Sequence, residues 1–403
     1  MALDSIRAHK LRSFLTLLGI IIGVASVILV GAAIDGLGVY AEGITAKAFG
    51  TDSYLIAQIA SVGRLTRKQL ADKQRRNKRI RPEDVAYLRT VTGDSILYSP
   101  YAQRTEDVKG DNQIFEGASI LGASATLPDI RDVPISDGRF FVEPEERMRQ
   151  HVAVIGEDIH TALFPGGSPL GRKIRISGND FLIIGLLERQ GSSFGRSLDN
   201  PVYIPITVYQ ELFGGRNGTA VFGKSRPGTG LSLDASLDIS RAALRTHFHT
   251  PPGQEDNFDT LTPDSVRSFV DSILGIIAAI VVPVTSISLI VGGIVIMNIM
   301  LVSVTERTRE IGIRKSLGAR RNDIMMQFLT ESIILSLSGG FIGVALGTGV
   351  SLLLGAVFGA TLKVTMPYIL LSIFVSTTVG VVSGWYPARR AARLDPVDAL
   401  RAE

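Results

Sequence analysis

The sequence predicts an integral membrane α-helical protein with four transmembrane helices and a large α+β extracytoplasmic domain inserted between helices 1 and 2. Three observations predict it. Of 403 residues, 45% are hydrophobic and only 20% charged, with a mean hydropathy of +0.27. Four stretches reach the roughly 20 apolar residues that a helix needs to cross a ~30 Å hydrocarbon core. Lys and Arg gather at one set of segment ends. There is no cysteine, which excludes disulfides, thiolate metal sites and Cys nucleophiles.

Residues 1–13 read as a cytoplasmic amphipathic elbow carrying Arg7, Lys10 and Arg12. The first span is 14–34. A cleaved signal peptide is the rival reading, but the apolar run exceeds the roughly 7–15 residues of a signal core. Residues 35–271 form the extracytoplasmic domain and 272–304 the second span. Residues 305–327 form a cytoplasmic loop rich in Arg and Lys. The third span is 328–358 and the fourth 368–386, with Lys363 the one basic residue between them. Residues 387–403 form a cytoplasmic tail with Arg389, Arg390 and Arg393. Both termini are therefore expected on the cytoplasmic side of the membrane, with the large domain outside. The second span exceeds the hydrocarbon core by several turns, so its excess is expected to project outward as a stalk. The first helix is expected to continue past Ile34 towards Phe49, weakened at Gly36, Gly38 and Gly43, and Pro283 to be a weak point of the second.

The outer domain reads as α+β. Pro82, Glu83 and Asp84 start a helix, with Pro in the first turn and acids at the positive end of the dipole. Strand-like runs recur at Ser53–Ile59, His151–Ile155, Lys173–Ile176, Phe181–Leu187 and Val202–Ile206. After Leu231 the pattern turns helical through about Phe248, and Pro251, Pro252 and Gly253 then break it. The run Arg64–Arg81 holds nine basic residues and one acid, Asp72. It reads as a solvated loop, with anionic headgroups or an acidic partner as the functional alternative. Nucleic acid does not suit an outer location without interleaved aromatics.

Two catalytic patterns and one metal-binding pair match by letter only. Gly218–Ser225, GTAVFGKS, fits the phosphate-loop expression, but Pro227 and Gly228 break the helix that a phosphate cradle requires. Gly191–Gly195, GSSFG, fits a nucleophile elbow around Ser193 but lacks the following helix. His247 and His249 form an H-x-H pair with no third ligand evident. No catalytic, cofactor-binding or metal-binding residue is therefore assigned. An ion-coupled carrier is disfavoured because strongly ionisable residues avoid the middle of the four spans.

The loop after the second span reads Glu306-Arg307-Thr308-Arg309-Glu310-Ile311-Gly312-Ile313-Arg314-Lys315-Ser316-Leu317-Gly318-Ala319-Arg320-Arg321, followed by Gln327-Phe328-Leu329-Thr330-Glu331. Its physics is that of a short amphipathic helix. Ile311, Ile313 and Leu317 offer apolar anchors, Glu306, Arg307, Arg309 and Glu310 a polar rim, and Gly318 a helix stop. In the third span Gly339, Gly343 and Gly347 share one face and suit a close helix contact. At the tail, Asp395-Pro396 reads as an N-cap with Pro at the first helical position.

The loop sequence and the tail Gly384–Arg401 resemble the signature of FtsX-type permease domains. Val152–Gly156, Leu163–Gly166, Pro169–Gly171 and Pro201–Pro205 resemble the MacB-type periplasmic core. The resemblance covers nearly the whole chain except Arg64–Arg81. It implies the permease subunit of an ABC transporter that exports or extrudes a hydrophobic or peptide-like cargo. Glu306, Arg307, Arg309, Glu310, Ile311, Gly312, Ile313, Arg314, Lys315 and Leu317 would then couple to a cytoplasmic ABC ATPase. In MacB itself the ATPase is fused at the N-terminus. Here an ATPase in trans is expected, holding ATP and magnesium that this chain does not bind. A second permease copy, a periplasmic adaptor and membrane lipids are the other implied partners. The alternative is an FtsX-like regulator that activates an extracytoplasmic enzyme.

Overall fold

The computed structural model describes residues 10–50, 52–110, 113–193, 196–214, 219–358, 362 and 364–401. Most of the N-terminal elbow (1–9) and Lys363 lie outside them. The chain divides into two compact units. One joins Met1–Tyr40 to Val270–Glu403, and the other is Ala41–Phe269.

In chain order the helices are α1 (Lys10–Phe49), α2 (Arg67–Arg76), α3 (Pro82–Thr92), α4 (Leu127–Ile130), α5 (Glu143–Arg147), α6 (Glu157–Leu163), α7 (Ile206–Phe213) and α8 (Leu233–His247). They continue with α9 (Pro263–Glu306), α10 (Thr308–Ser316), α11 (Arg321–Phe358), α12 (Met366–Arg393) and α13 (Pro396–Arg401). Four are long and apolar enough to cross a membrane, over Leu17–Val39, Pro263–Glu306, Arg321–Ala356 and Met366–Arg393.

The helical unit packs through small residues. A Cβ added at Gly19 would lie 2.8 Å from the Gly292 Cα, so α1 and α9 cross at a pair of glycines. Gly339, Gly343 and Gly347 meet α1 at Ile20, Val24 and Ile28; a Cβ at Gly343 would fall 2.9 Å from the Ile21 carbonyl oxygen. Between α11 and α12, the Ser332 and Ser336 hydroxyls lie against Gly384 and Gly380, and Ser376 Oγ donates to the Ser336 carbonyl at 2.6 Å. Lipid tails provide no hydrophobic drive between helices, so backbone approach and buried hydroxyl bonds hold such a bundle.

Past Ile34, α1 continues as helix through Gly36, Gly38 and Gly43 to Phe49, because glycine lowers helix propensity by only about 1 kcal/mol and forbids nothing. Helix α9 runs unbroken through Pro283. Nearby hydroxyls take up backbone carbonyls there: Thr285 Oγ1 donates to Val281 and Val282, and Ser286 Oγ to Val282.

The second unit is a ten-stranded mixed sheet carrying helices. Its strands are β1 (Ser53–Ala57), β2 (Ile96–Lys109), β3 (Ile114–Ala123), β4 (Ile135–Gly138), β5 (Val152–Ile155), β6 (Lys173–Ile176), β7 (Asn179–Leu187), β10 (Pro201–Pro205), β11 (Ala220–Ser225) and β12 (Asp259–Leu261). A separate hairpin pairs β8 (Ser192–Ser193) with β9 (Arg196–Ser197). The sheet order is β12-β1-β11-β2-β3-β10-β5-β7-β4, with β6 paired to β2 and β7. β10 runs parallel to β3, and β5 to β7. One core joins Tyr54, Leu88, Tyr98 and Leu244. A second joins Ile120, Ile155, Phe181 and Val202, and a third Leu121, Phe141, Val154 and Tyr203.

The reading of Arg64–Arg81 as a loop is corrected by α2. Thr66 Oγ1 accepts from the Gln69 N–H, and Gln69 Oε1 accepts from the Thr66 N–H, a complete capping box. Like-charge repulsion argues against a helix here, but the cap and two ion pairs at its far end outweigh it, Lys73 with Asp259 and Arg76 with Glu255.

Candidate functional site

The candidate site is α10 and its supports. Arg307 alone separates α9 from α10. The helix ends where Gly318 takes φ +97, with Gly318 N–H donating to Lys315 and Ala319 N–H to Arg314. Such a left-handed stop favours glycine. Asp323 then caps the start of α11 by accepting from the Arg320 N–H at 2.9 Å.

The ten loop residues expected to meet an ATPase separate into two faces. Turned outward are Glu306, Arg309, Glu310, Ile313 and Leu317; Ile313 is 46% exposed and Leu317 83%. Their spacing of three or four residues is that of one helical face.

Turned inward are Arg307, Ile311, Gly312, Arg314 and Lys315. Ile311 is 2% exposed, in a cluster with Met300, Val304, Phe328 and Ala388. Arg307 faces Glu331 of α11 at 3.4 Å. Arg314 donates to Gln327 Oε1 at 2.6 Å and pairs with Glu310. Lys315 Nζ donates to the carbonyls of Ala392 and Leu394 at 2.7 and 2.6 Å, at the C-terminal end of α12. That is the negative end of a helix dipole, which a cation stabilises. Burial pushes the Lys315 ammonium below its usual range, reinforced by Arg321 and opposed by Asp395.

The expected surface of apolar anchors and charged rim is thus redrawn. Ile311 is core of this chain rather than an anchor for another, and Arg307 is spent on Glu331. Sequence reasoning missed Lys315 as a brace, and its partners, because backbone carbonyls leave no trace in side-chain identity. At the tail, Asp395 Oδ1 accepts from the Val397 N–H at 2.9 Å, opening α13.

The letter-matched motifs sit elsewhere. Lys224 lies inside β11, opposite Ser53 of β1 and Leu97 of β2, so no helix follows it to cradle phosphate; Gly218 lies outside the described residues. Ser193 belongs to the β8–β9 hairpin, whose Phe194 and Gly195 lie outside the described residues. His247 Nε2 bonds Asp84 at 2.8 Å and its ring stacks on Tyr87. Among the described residues no group of three or more His, Cys, Asp or Glu could hold a metal ion.

The family model described as the MacB-like periplasmic core domain matches residues 13–235. The FtsX-like permease C-terminal model matches 282–396. The ABC transporter permease YknZ of Bacillus subtilis is 32% identical over 407 residues, covering 100% of this chain and 98% of its own. A macrolide export ATP-binding/permease protein MacB of Bdellovibrio bacteriovorus is 34% identical, covering 99% of this chain. The chain spans 61% of that relative's length. The crystal structure of the periplasmic region of MacB from Actinobacillus actinomycetemcomitans is 15% identical. It covers 56% of this chain and 95% of its own, at a TM-score of 0.44. With both family models matching in order and a relative aligned end to end, the chain belongs to the MacB/FtsX-like family of ABC transporter permeases.

Proposed function

We propose that this permease is a non-catalytic subunit driven by a separate ABC ATPase, which docks on the outward face of α10 and holds the ATP and magnesium. α10, both termini and the tail then face the cytoplasm of a bacterial inner membrane, and Ala41–Phe269 lies outside. Basic residues at the ends of the short loops support this orientation.

The observation that carries the reading is the bracing of α10. It is joined to α9 through one residue, to α11 through Arg307–Glu331 and Arg314–Gln327, and to α12 through Lys315. A push on Ile313 and Leu317 therefore moves three membrane helices instead of bending a loop. Helices α1 and α9 are each continuous from one unit into the other, and a continuous helix passes on displacement that a tether would dissipate. Two copies working as a pair, with a periplasmic adaptor, would extrude a hydrophobic or peptide-like cargo.

The test is co-purification and ATP turnover with a cognate ABC ATPase. Leu317→Asp and Ile313→Asp should detach or uncouple it while the permease stays inserted. Unchanged co-purification and unchanged permease-stimulated turnover in both variants would defeat the proposal.

A further inference from the structure

The coupling reading leaves α2 unused. No described residue of this helix is buried, yet it is held in place at both ends. Just before it, Gly63 packs on the Phe269 ring; a Cβ there would fall 2.8 Å from Cε2. At its far end Lys73 Nζ reaches Asp259 Oδ2 at 2.6 Å. Asp259 is 8% exposed and also accepts from Asn77 Nδ2 and the Ala60 N–H.

Lys73, Arg75 and Arg76 suit the negative end of the helix dipole, but the cations at the other end oppose it. Arg67 and Lys68 occupy the first turn, at the positive end of the dipole, with no acid there to offset them. Arg64, Arg67, Lys68 and Arg75 make no ion pair with any described residue. Lys68 and Arg75 lie seven residues apart and share a face, with Arg67 about 100° round the helix from Lys68. Beside the helix runs a groove of about 720 Å³ lined by Gln69, Asp72, Lys73, Arg75, Arg76 and Glu255. A capped cationic helix that adds nothing to the core presents these cations to solvent, where an anion can meet them.

We infer that α2 is a docking surface for an acidic segment of a partner protein on the same side of the membrane as Ala41–Phe269. Carboxylates would meet the guanidinium forks of Arg67 and Arg75 in paired hydrogen bonds, with the acidic chain lying along the groove. A lipid surface fits less well. A helix that lies in a bilayer interface needs an apolar face, and α2 offers Leu70 as its one large aliphatic side chain.

The experiment uses the full chain in phosphatidylcholine nanodiscs and a fluorescein-labelled oligo-glutamate peptide, read by anisotropy. One variant reverses α2 (Arg67→Glu, Lys68→Glu, Arg75→Glu). A control reverses three exposed cations on the sheet (Lys109→Glu, Lys173→Glu, Arg175→Glu) for the same change in net charge. Circular dichroism confirms that both stay folded. The inference expects at least tenfold weaker binding for the α2 variant, little change for the control, and loss of wild-type binding in 0.5 M salt, where exposed charges are screened. Equal weakening in both variants would overturn it as an effect of net charge alone. So would failure of the peptide to bind while the nanodiscs sediment with phosphatidylglycerol vesicles through α2.

Discussion

Lys315 and Leu317 lie two residues apart and do opposite things. Lys315 turns in to brace the end of α12, and Leu317 turns out to solvent. Side chains two apart on a helix never share a face, so the loop signature mixes scaffold with surface. Ile311→Asp should therefore prevent stable folding of the helical unit, since a charge enters its core, whereas Leu317→Asp should leave expression and melting temperature unchanged. Comparable loss of folded protein in both, by fluorescence size exclusion, would contradict this assignment. Lys315→Met removes two hydrogen bonds from a charged donor, each worth about 1.5–3 kcal/mol. It should lower the melting temperature by several degrees and weaken ATPase coupling with Ile313 and Leu317 intact.

Glu145 offers a pH test in the other unit. Its carboxylate takes two bonds from Arg139 and one from the Val142 N–H. The Arg139 hydrogen bond chiefly holds it below the ordinary carboxylate range; burial opposes this, and the Val142 N–H and the Arg139 charge assist. A carboxyl depressed on folding contributes its full stability above its unfolded pKa, about 4.3 for Glu, and loses it as pH falls through the folded value. Glu145→Gln should thus cost stability at pH 7 and progressively less as the pH drops below 4. An equal cost at pH 7 and pH 3, by chemical denaturation, would remove the ion pair from the account.

At the scale of elements, legibility followed locality. Pro82 with its two acids, the Ser232-capped α8 and the Asp395-Pro396 start of α13 carry their own end signals, and all three helices form. β6 spans the same Lys173–Ile176 that alternation marks out. The two longest strands, β2 and β3, were not read. β2 contains Pro100 and ends in a polar run through Lys109, which depresses strand propensity. Pairing with β3 and β11 overrides it. For the site, residue type alone put Ile311 and Arg307 on the surface with Glu306, Arg309, Glu310, Ile313 and Leu317; the inward turn of Ile311 and Arg307 depends on the packed bundle, which also brings Glu331, Gln327 and the α12 carbonyls near. The glycine face of α11 gives an element-scale prediction. Gly343→Leu drives a side chain into Val24 and the Ile21 carbonyl and should abolish bundle assembly. Val350→Leu, on an exposed position of the same helix, should not. Equal yields of folded protein for the two would show that this contact is dispensable.

Taken over the whole molecule, the proposed function requires ATP hydrolysis by another chain to move Ala41–Phe269 through α1 and α9. The sequence holds no cysteine, so Asp234→Cys on the exposed side of α8 adds a single spin label per copy without further engineering. The measurement is the inter-copy distance distribution by pulsed electron–electron resonance in nanodiscs with the partner ATPase, comparing the nucleotide-free and vanadate-trapped states. The same comparison is made after inserting Gly-Ser behind Asp271 in α9. The account predicts a nucleotide-dependent shift in the native chain that disappears with the insertion while ATP hydrolysis continues. An unshifted distribution in the native chain, or a shift that survives the insertion, would contradict it.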